Sequence, residues 1–513
     1  MDLSGMTPPT PLQLDGRSLT IADVCRVARD RHPVVLPAEV RERVLQARAI
    51  VDAIVAENRV VYGVTTGFGK MSDIAIPPHR QAELQLNLIR SHVVGVGPLL
   101  PEAEVRAMML LRANVLAKAY TGVRPEVLEL LAGMLNAGLF PDVPEQGSVG
   151  ASGDLAPLAH LAITLVGEGE LNEGTRRGAA TEMLHRHGLS PVVLQPKEGV
   201  GLINGTQAHT AIAALGWHDA GVLWETAQVA GAATLEALKG TPVAFDARIH
   251  EARGQVGQMT SAAHFLRLLA SSEIRESHRH NDPRVQDAYA LRCMPQVHGP
   301  VRDLLDHAEL VITRELNAAT DNPLVFPDGE MLSGGNFHGQ AVAMVLDFMS
   351  IALTNLAVMS ERRIDRLVHP DLNEGLPPFL TRDAGVCSGM MMAQVTAAAI
   401  TSECKVLSHP ASVDSIPTDG SKEDVVPMAM GAAWKFRRIV HNVRHVLAIE
   451  LLCAMQGIDY RRPLRAGLGV ERAYATLRAA VSFQEQDRQL TPDIQAIAKM
   501  IERGAFRALD RAD

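Results

Sequence analysis

From residue 206 to residue 240 the chain reads TQAHTAIAALGWHDAGVLWETAQVAGAATLEALKG, an alanine-rich run that stops only at Gly240-Thr241-Pro242. Similar long stretches with helical character fall near 256–272, 297–319, 337–366, 386–408 and 425–456. Alanine and the unbranched apolar residues favour helix. Helices this long and this apolar need one another, or another subunit, to hide their surfaces. Convincing alternating strands are few, and there is no internal repeat or low-complexity tract. The expectation is a mainly α fold with a smaller N-terminal portion, residues 1–200, followed by a long helical bundle and C-terminal region, residues 201–513. The boundary is soft, because no Pro/Ser linker marks it.

Within the N-terminal portion, residues 1–20 read as a partly ordered arm with three prolines between 8 and 11. Helical spacing is expected at 38–57, 79–93 and 102–120. At 125–137, Val127, Leu130, Leu131, Met134 and Leu135 share one face, with Pro125 opening and Gly138 closing the helix. Residues 168–200 are polar and mixed, fitting a short hairpin plus helix.

A formal charge of −9 without a basic stripe argues against nucleic acid. Five cysteines, Cys25, Cys293, Cys387, Cys404 and Cys453, lie scattered without a CxxC pair, which fits a reducing, cytoplasmic setting without a disulfide framework. The N-terminal MDLSGMTPPTPLQLDG lacks the basic-then-apolar pattern of a signal peptide. One long uncharged run, 384–402, holds Gln394, two Thr, two Ser and two Gly. It is expected to be a helix buried on all sides of a bundle and not a membrane span.

The chemistry concentrates in residues 147–162, GSVGASGDLAPLAHLA. Glycine at 153 lets its amide nitrogen approach a neighbouring carbonyl closely. Attack on the carbonyl carbon of Ala151 closes a five-membered ring. Loss of water from the ring and of the Ser152 hydroxyl as a second water leaves a conjugated exocyclic methylene, an electrophile that no side chain supplies. A Gly/Ser/Ala loop before an apolar helix is also a common tight turn. The unbroken run GASGDLAPL resembles the signature of the histidine and aromatic amino-acid ammonia-lyases, which make methylidene-imidazolone (MIO) from Ala-Ser-Gly. That resemblance assigns Ala151, Ser152 and Gly153 to the MIO, with no external cofactor.

Further blocks resemble the same family in order, from about residue 20 to 500. Tyr62 in YGVTTGFGK matches the tyrosine of the mobile inner loop, the proposed base; Thr65 stands where the family more often has Asn. His92 in LIRSHVVGVG matches a position that contacts the substrate side chain, in the order of the histidine-specific branch. Asn204 in LINGTQAHT heads a helix, so it is a capping candidate; the resemblance places its amide beside the MIO and the substrate carboxylate. Gln286, Tyr289 and Arg292 in VQDAYALRCMPQVHG follow at steps of three and would share one helical face. By resemblance Arg292 anchors the α-carboxylate, for which a guanidinium fork is suited, Tyr289 relays a proton or contacts the MIO, and Gln286 gives polar support. Phe337 in SGGNFHG falls near the MIO, or is a core residue. Glu423 in HPASVDSIPTDGSKEDVVPM is a substrate-binding candidate beside two departures, Lys422 for the usual Gln and Val425 for His. Nearby HRHNDPR (278–284) lacks a metal-ligand arrangement, and no metal is expected.

The resemblance implies the ammonia-lyase/fumarase-like architecture, a homotetramer whose active sites are lined by several chains, and a small amino-acid substrate. It implies elimination of ammonia across Cα–Cβ, from L-histidine to trans-urocanate. The alternatives are a tyrosine or phenylalanine ammonia-lyase, an aminomutase that returns the ammonia to Cβ, and a helical scaffold without catalysis.

Overall fold

The computed structural model describes residues 10–280 and 282–510; the first nine residues of the expected arm, and Asn281 of HRHNDPR, lie outside the described residues. Helices dominate. The expected segments are realised as Ala38–Ala56, Gln81–His92, Glu102–Ala117, Pro125–Ala137, Val256–Leu268, Met294–Leu316, Gln340–Val368, Met391–Leu407 and Ala429–Asp459. The alanine-rich run forms one helix, Gln207–Ala237. Gly138 closes the helix Pro125–Ala137 at φ +71°, the left-handed geometry that an absent Cβ permits. Strands are short, and the longest pairing is the hairpin of Glu170–Glu173 with Arg176–Ala179.

Of the expected arm, residues 10–20 are the described part, and past Pro11 the amides of Leu12 and Leu14 donate to the carbonyls of Pro33 and Val35 at 2.9 Å each. Leu12–Gln13 thereby pairs in parallel with Val34–Val35, and Leu14 and Leu19 are buried. The run 384–402 is not a helix buried all round. Positive φ at Gly385 and Gly389 keeps its first part out of helix. Along Met391–Leu407 only Ala393, Ala397 and Cys404 are buried, while Met392, Val395 and Val406 are exposed. Among the described residues, Gln340–Val368 is the one helix long and apolar enough to cross a membrane, by length and composition, and 67% of its most apolar window is buried in protein.

The chain divides into two compact units, each discontinuous in sequence: residues 1–218, 309–347 and 410–434, and residues 219–308, 348–409 and 435–513. The expected boundary at 200 divides the chain in two, whereas the first unit also takes two later segments. Those returns matter for the site, because they bring Phe337 and Glu423 into the unit that holds Ser152.

In the first unit the helix Glu102–Ala117 is buried from Glu104 onward and packs against Ile21–Arg29 and Pro125–Ala137. Its two buried arginines serve the ends of other elements. Arg106 donates to the carbonyls of Val27 (2.9 Å) and Leu135 (3.2 Å), satisfying acceptors that a terminating helix leaves open. In the second unit Arg363 and Glu450 form a fully buried pair, and Thr234 also donates to Glu450.

The second unit contains a titratable strain point. Glu236 accepts from the Ser272 hydroxyl (2.7 Å) and the Gly467 amide (3.0 Å), yet burial pushes its carboxyl up to about 7. The folded state therefore holds this proton more tightly than the unfolded chain. Its stabilising contribution is complete below the ordinary carboxyl range and is lost as pH rises through about 7. The span corresponds to on the order of 3 kcal/mol. Glu236→Gln keeps an acceptor for Gly467 and a donor for the Ser272 oxygen without the charge. Chemical denaturation between pH 5 and pH 8 should show a smaller loss of stability in the variant, which should exceed the parent at pH 8.

Candidate active site

The loop ahead of the helix Leu155–Leu165 is held at both ends. Gly153 has φ +71°, and a Cβ there would lie 2.1 Å from the Gly205 carbonyl oxygen, so only glycine fits. The Asp154 amide donates to that same carbonyl at 2.7 Å. The fully buried Asp154 carboxylate accepts from the Ser148 hydroxyl and from the amides of Ala208 and His209, each at 2.9 Å. It therefore caps the start of Gln207–Ala237, the role expected of Asn204. Asn204 instead ends the short helix Glu198–Ile203 and turns its amide back to donate to the Ser152 carbonyl at 2.9 Å.

Asn204 is positioned by Arg112. This guanidinium, fully buried, donates to the Asn204 carbonyl (2.9 Å), to Gln207 Oε1 (2.7 Å) and to the carbonyl of Gly201. Burial lowers its pKa to about 10, so it remains charged at neutral pH. Gly205 is glycine for the same reason, since a Cβ would lie 2.6 Å from an Arg112 nitrogen.

Across from Ser152 stands the returning loop 418–425. The Glu423 carboxylate accepts from the Ser152 hydroxyl through one oxygen and from the Thr418 hydroxyl through the other. It faces Ser152, and among the described residues no ion pair joins it to Lys422, which is exposed. Tyr62 lies in a glycine-rich turn whose Gly69 amide donates to its hydroxyl at 3.2 Å. Burial pushes the phenol pKa up, and the carboxylates of Asp419 and Glu423 push it in the same direction. Asp419 also accepts from the Lys70 amide at 3.2 Å, tying the two loops together. Thr65 is satisfied within its own loop, donating to the Arg59 carbonyl (2.7 Å) and accepting from the Val61 amide (2.9 Å).

Tyr62, His92, Ser152, Asn204 and Glu423 line one cavity of about 420 Å³, closed by Phe68, Leu88 and Val200. A second cavity of about 680 Å³ shares Tyr62, Ser152 and Glu423 and adds Ala151, Phe337, Asn322 and Val425. His92 ends the helix Gln81–His92 with Nδ1 2.7 Å from the Leu88 carbonyl. A carbonyl only accepts, so Nδ1 is the donor of this pair.

Gln286, Tyr289 and Arg292 are not among the residues lining either cavity. They belong to the second unit, where Gln286 and Arg292 line a cavity of about 590 Å³. The expected shared helical face is only partly realised. Helix covers Tyr289–Arg292 alone, and Gln286 precedes it. The three still cluster: Arg292 donates to Gln286 and its guanidinium stacks 4.7 Å from the Tyr289 ring centre. Arg292 Nε and Gln296 Oε1 are buried without a partner.

Three residues of the site were not singled out from the sequence. Asp154 lay inside the quoted motif, but its capping role needs Gln207–Ala237 beside it. Arg112 is one charge in a helical run and carries no local signal. Asp419 lies four residues before Glu423 without a local signal, and only the approach of the loop 62–70 puts it beside Tyr62.

The residues present suit an MIO. The glycine that ring closure requires is enforced sterically, the Ser152 hydroxyl and carbonyl are both held, and buried Asn204 Oδ1 has no partner of its own. Among the described residues no group of three His, Cys, Asp or Glu is placed to hold a metal ion.

Residues 19–479 match the aromatic amino acid lyase family. The chain is 52% identical to a histidine ammonia-lyase of Koribacter versatilis, over 98% of this chain and 99% of that one. Among solved structures it resembles a histidine ammonia-lyase from Trypanosoma cruzi at 41% identity and TM-score 0.90, covering 98% of this chain and 95% of that one. It also resembles a tyrosine aminomutase from Streptomyces globisporus at 38% identity and TM-score 0.92, covering 98% of each. The chain belongs to the aromatic amino acid lyase family.

Proposed function

We propose that this chain eliminates ammonia from L-histidine to give trans-urocanate, using an MIO formed from Ala151, Ser152 and Gly153. The observation that carries the reading is the single cavity joining Ser152 to Tyr62, Asn204, His92 and Glu423. Full-length relatives named histidine ammonia-lyase support the same reading. The group supplies an electrophilic methylene for the amine-loss chemistry. Around it, Asn204 donates to the Ser152 carbonyl, drawing electron density from the atoms that would be conjugated with the methylene. Tyr62, as phenolate, takes the β-proton. Arg292 holds the α-carboxylate, supported by Gln286 and Tyr289, so that the reacting atoms meet in fixed geometry. Phe337 contributes an apolar wall.

We further propose a cytoplasmic homotetramer. Met392, Val395 and Val406 on one helix, with Phe348, Ile351 and Val358 on another, leave apolar side chains uncovered in the single chain. In a tetramer whose sites are lined by several chains, the cavity of Gln286 and Arg292 is the part that a neighbouring copy brings.

The first test is mass. The intact protein should weigh two water molecules less than its sequence. Ser152→Ala should fold, show no such double loss, and lose most of its activity. An unmodified mass for the parent protein removes the MIO reading.

Substrate choice follows from His92 and Glu423. Glu423 presents a carboxylate acceptor, which an imidazole N–H satisfies and a phenyl ring does not, and His92 adds a second polar ring to the wall. Sites built around such hydrogen bonds reject analogues lacking them by about 10⁴–10⁵. The kcat/KM for L-histidine should exceed that for L-phenylalanine by an amount approaching this range, and clearly exceed that for L-tyrosine. Glu423→Gln should weaken histidine turnover far more than it alters folding. Equal turnover of tyrosine would favour the aminomutase-like relatives instead.

The Tyr62 environment sets the pH dependence. If the phenolate is the base, turnover rises with pH toward an alkaline limb, because burial and two carboxylates hold the phenol protonated. Asp419→Asn keeps the acceptor for the Lys70 amide but removes one of those charges. Its pH profile of kcat/KM should have the limb at lower pH, and an unmoved limb would assign the titration to another group.

A further inference from the structure

The first unit holds a third cavity, of about 450 Å³, that shares no lining residue with the two around Ser152. We infer that it binds an aromatic carboxylate and that its occupancy reaches the Tyr62 loop. Arg17, Arg43 and Lys118 face it together with Ile50, Tyr120 and Phe326. Three cations around one cavity stand out in a chain whose formal charge is −9.

Their proximity is built into the backbone. Gly16 has φ +78°, and a Cβ there would lie 2.6 Å from the Lys118 backbone nitrogen, so the turn 15–18 crosses directly over the end of the helix Glu102–Ala117. Asn114 secures that crossing, accepting from the Gly16 amide at 3.1 Å and donating to the Leu316 carbonyl at 2.9 Å. Arg43 is fastened by donation to the carbonyls of Asp15 (2.8 Å) and Ala117 (3.2 Å), while its Nε is buried without a partner. The nearest acid, Asp15, is occupied by the Arg17 and Ser18 amides and the Ser18 hydroxyl. Among the described residues, none of the three cations forms an ion pair with a carboxylate. Burial, Arg17 and Arg43 together lower the Lys118 pKa and Asp15 opposes them only in part, as expected of like charges short of a counter-ion. An anion relieves that repulsion.

The rest of the wall argues for a ring on that anion. Tyr120 and Phe326 meet edge to face at 5.7 Å, and the Val325 amide donates to the Tyr120 carbonyl at 2.8 Å, holding the two segments together. A bare inorganic anion would leave this wall wet. The volume lies within the range of small-molecule pockets.

The floor connects to the catalytic loop. Ala47 and Val325 belong to one buried cluster with Val51 and Val64, and Ile50, Val61 and Ala119 pack against it. Val61 and Val64 flank Tyr62. The same segment that ends in Val325 carries Asn322, which lines the Ser152 cavity. A ring seated on Ile50 and Val325 therefore stiffens the support of the Tyr62 loop, and turnover falls through kcat. An acid competing at the substrate site would instead raise KM.

Titration calorimetry on the intact enzyme with benzoate, trans-urocanate and inorganic phosphate tests the site. Benzoate or trans-urocanate should bind saturably, more weakly as salt rises. Lys118→Met and Phe326→Ala should each weaken binding by about tenfold, whereas Arg292→Met should leave this binding in place. The tighter of the two acids distinguishes the enzyme's own product from an unrelated aromatic acid. In steady-state assays the acid should lower kcat in the parent and not in Lys118→Met, whose turnover without acid should match the parent. The binding arm does not depend on the histidine reading. No saturable binding, binding lost in Arg292→Met but kept in Lys118→Met, phosphate binding as tight as benzoate, or an effect on KM alone would each overturn the proposal.

Discussion

Arg112 has no carboxylate among its hydrogen-bond partners and no exposure to water; its guanidinium is satisfied by the carbonyls of Gly201 and Asn204 and the side-chain oxygen of Gln207. Each of those acceptors would otherwise be buried without a donor, at about 1–3 kcal/mol apiece. The same contacts determine where the short helix Glu198–Ile203 stops and where Asn204 begins. Because Asn204 then donates to the Ser152 carbonyl, a cation in the core of the N-terminal helices sets the geometry of the loop at Ser152. Lys197, also fully buried, pairs with Asp321 at 2.6 Å at the other end of that short helix. The helix is thus held at both ends by charges that no solvent screens.

The reactive loop and the long helix after it are one mechanical object. Asp154 accepts from the Ser148 side and from the first amides of Gln207–Ala237, and Gly153 and Gly205 touch backbone to backbone. Side chains at either glycine would force these strands of chain apart. Such a clamp suits a site in which backbone atoms themselves are to react, since near-contact geometry has to precede bond formation. The opposite wall is a loop, 418–425, docked on another loop, 62–70, through Asp419. Its carboxylate, with that of Glu423, raises the affinity of Tyr62 for its proton, so this wall acts on the phenol across the cavity.

Legibility from the sequence varied with how local the cause was. The helix Pro125–Ala137 was readable from spacing, Pro125 and Gly138, because every determinant lies within the helix. That Gly153 takes backbone angles closed to other residues was readable because a glycine's freedom is a local property. Gln286 was misplaced on a helix, since a step of three describes a helical face only where helix exists, and there it spans four residues. The run 384–402 was misread as buried all round. Composition reports how apolar a segment is, not which neighbours cover it.

The sequence by itself determined the helical character, the glycines that let the loop at 150–153 turn, and the residue types available for chemistry. Each is dictated by local backbone sterics or by side-chain identity. Only the tertiary structure decided that residues 309–347 and 410–434 return to the first unit. That return sets Glu423 on Ser152 and Asp419 beside Tyr62, while packing within residues 1–218 puts Asp154 rather than Asn204 on the long helix. These pairings join residues tens to hundreds of positions apart, and what selects them is the packing and hydrogen bonding of buried groups, which leaves no periodicity in the chain.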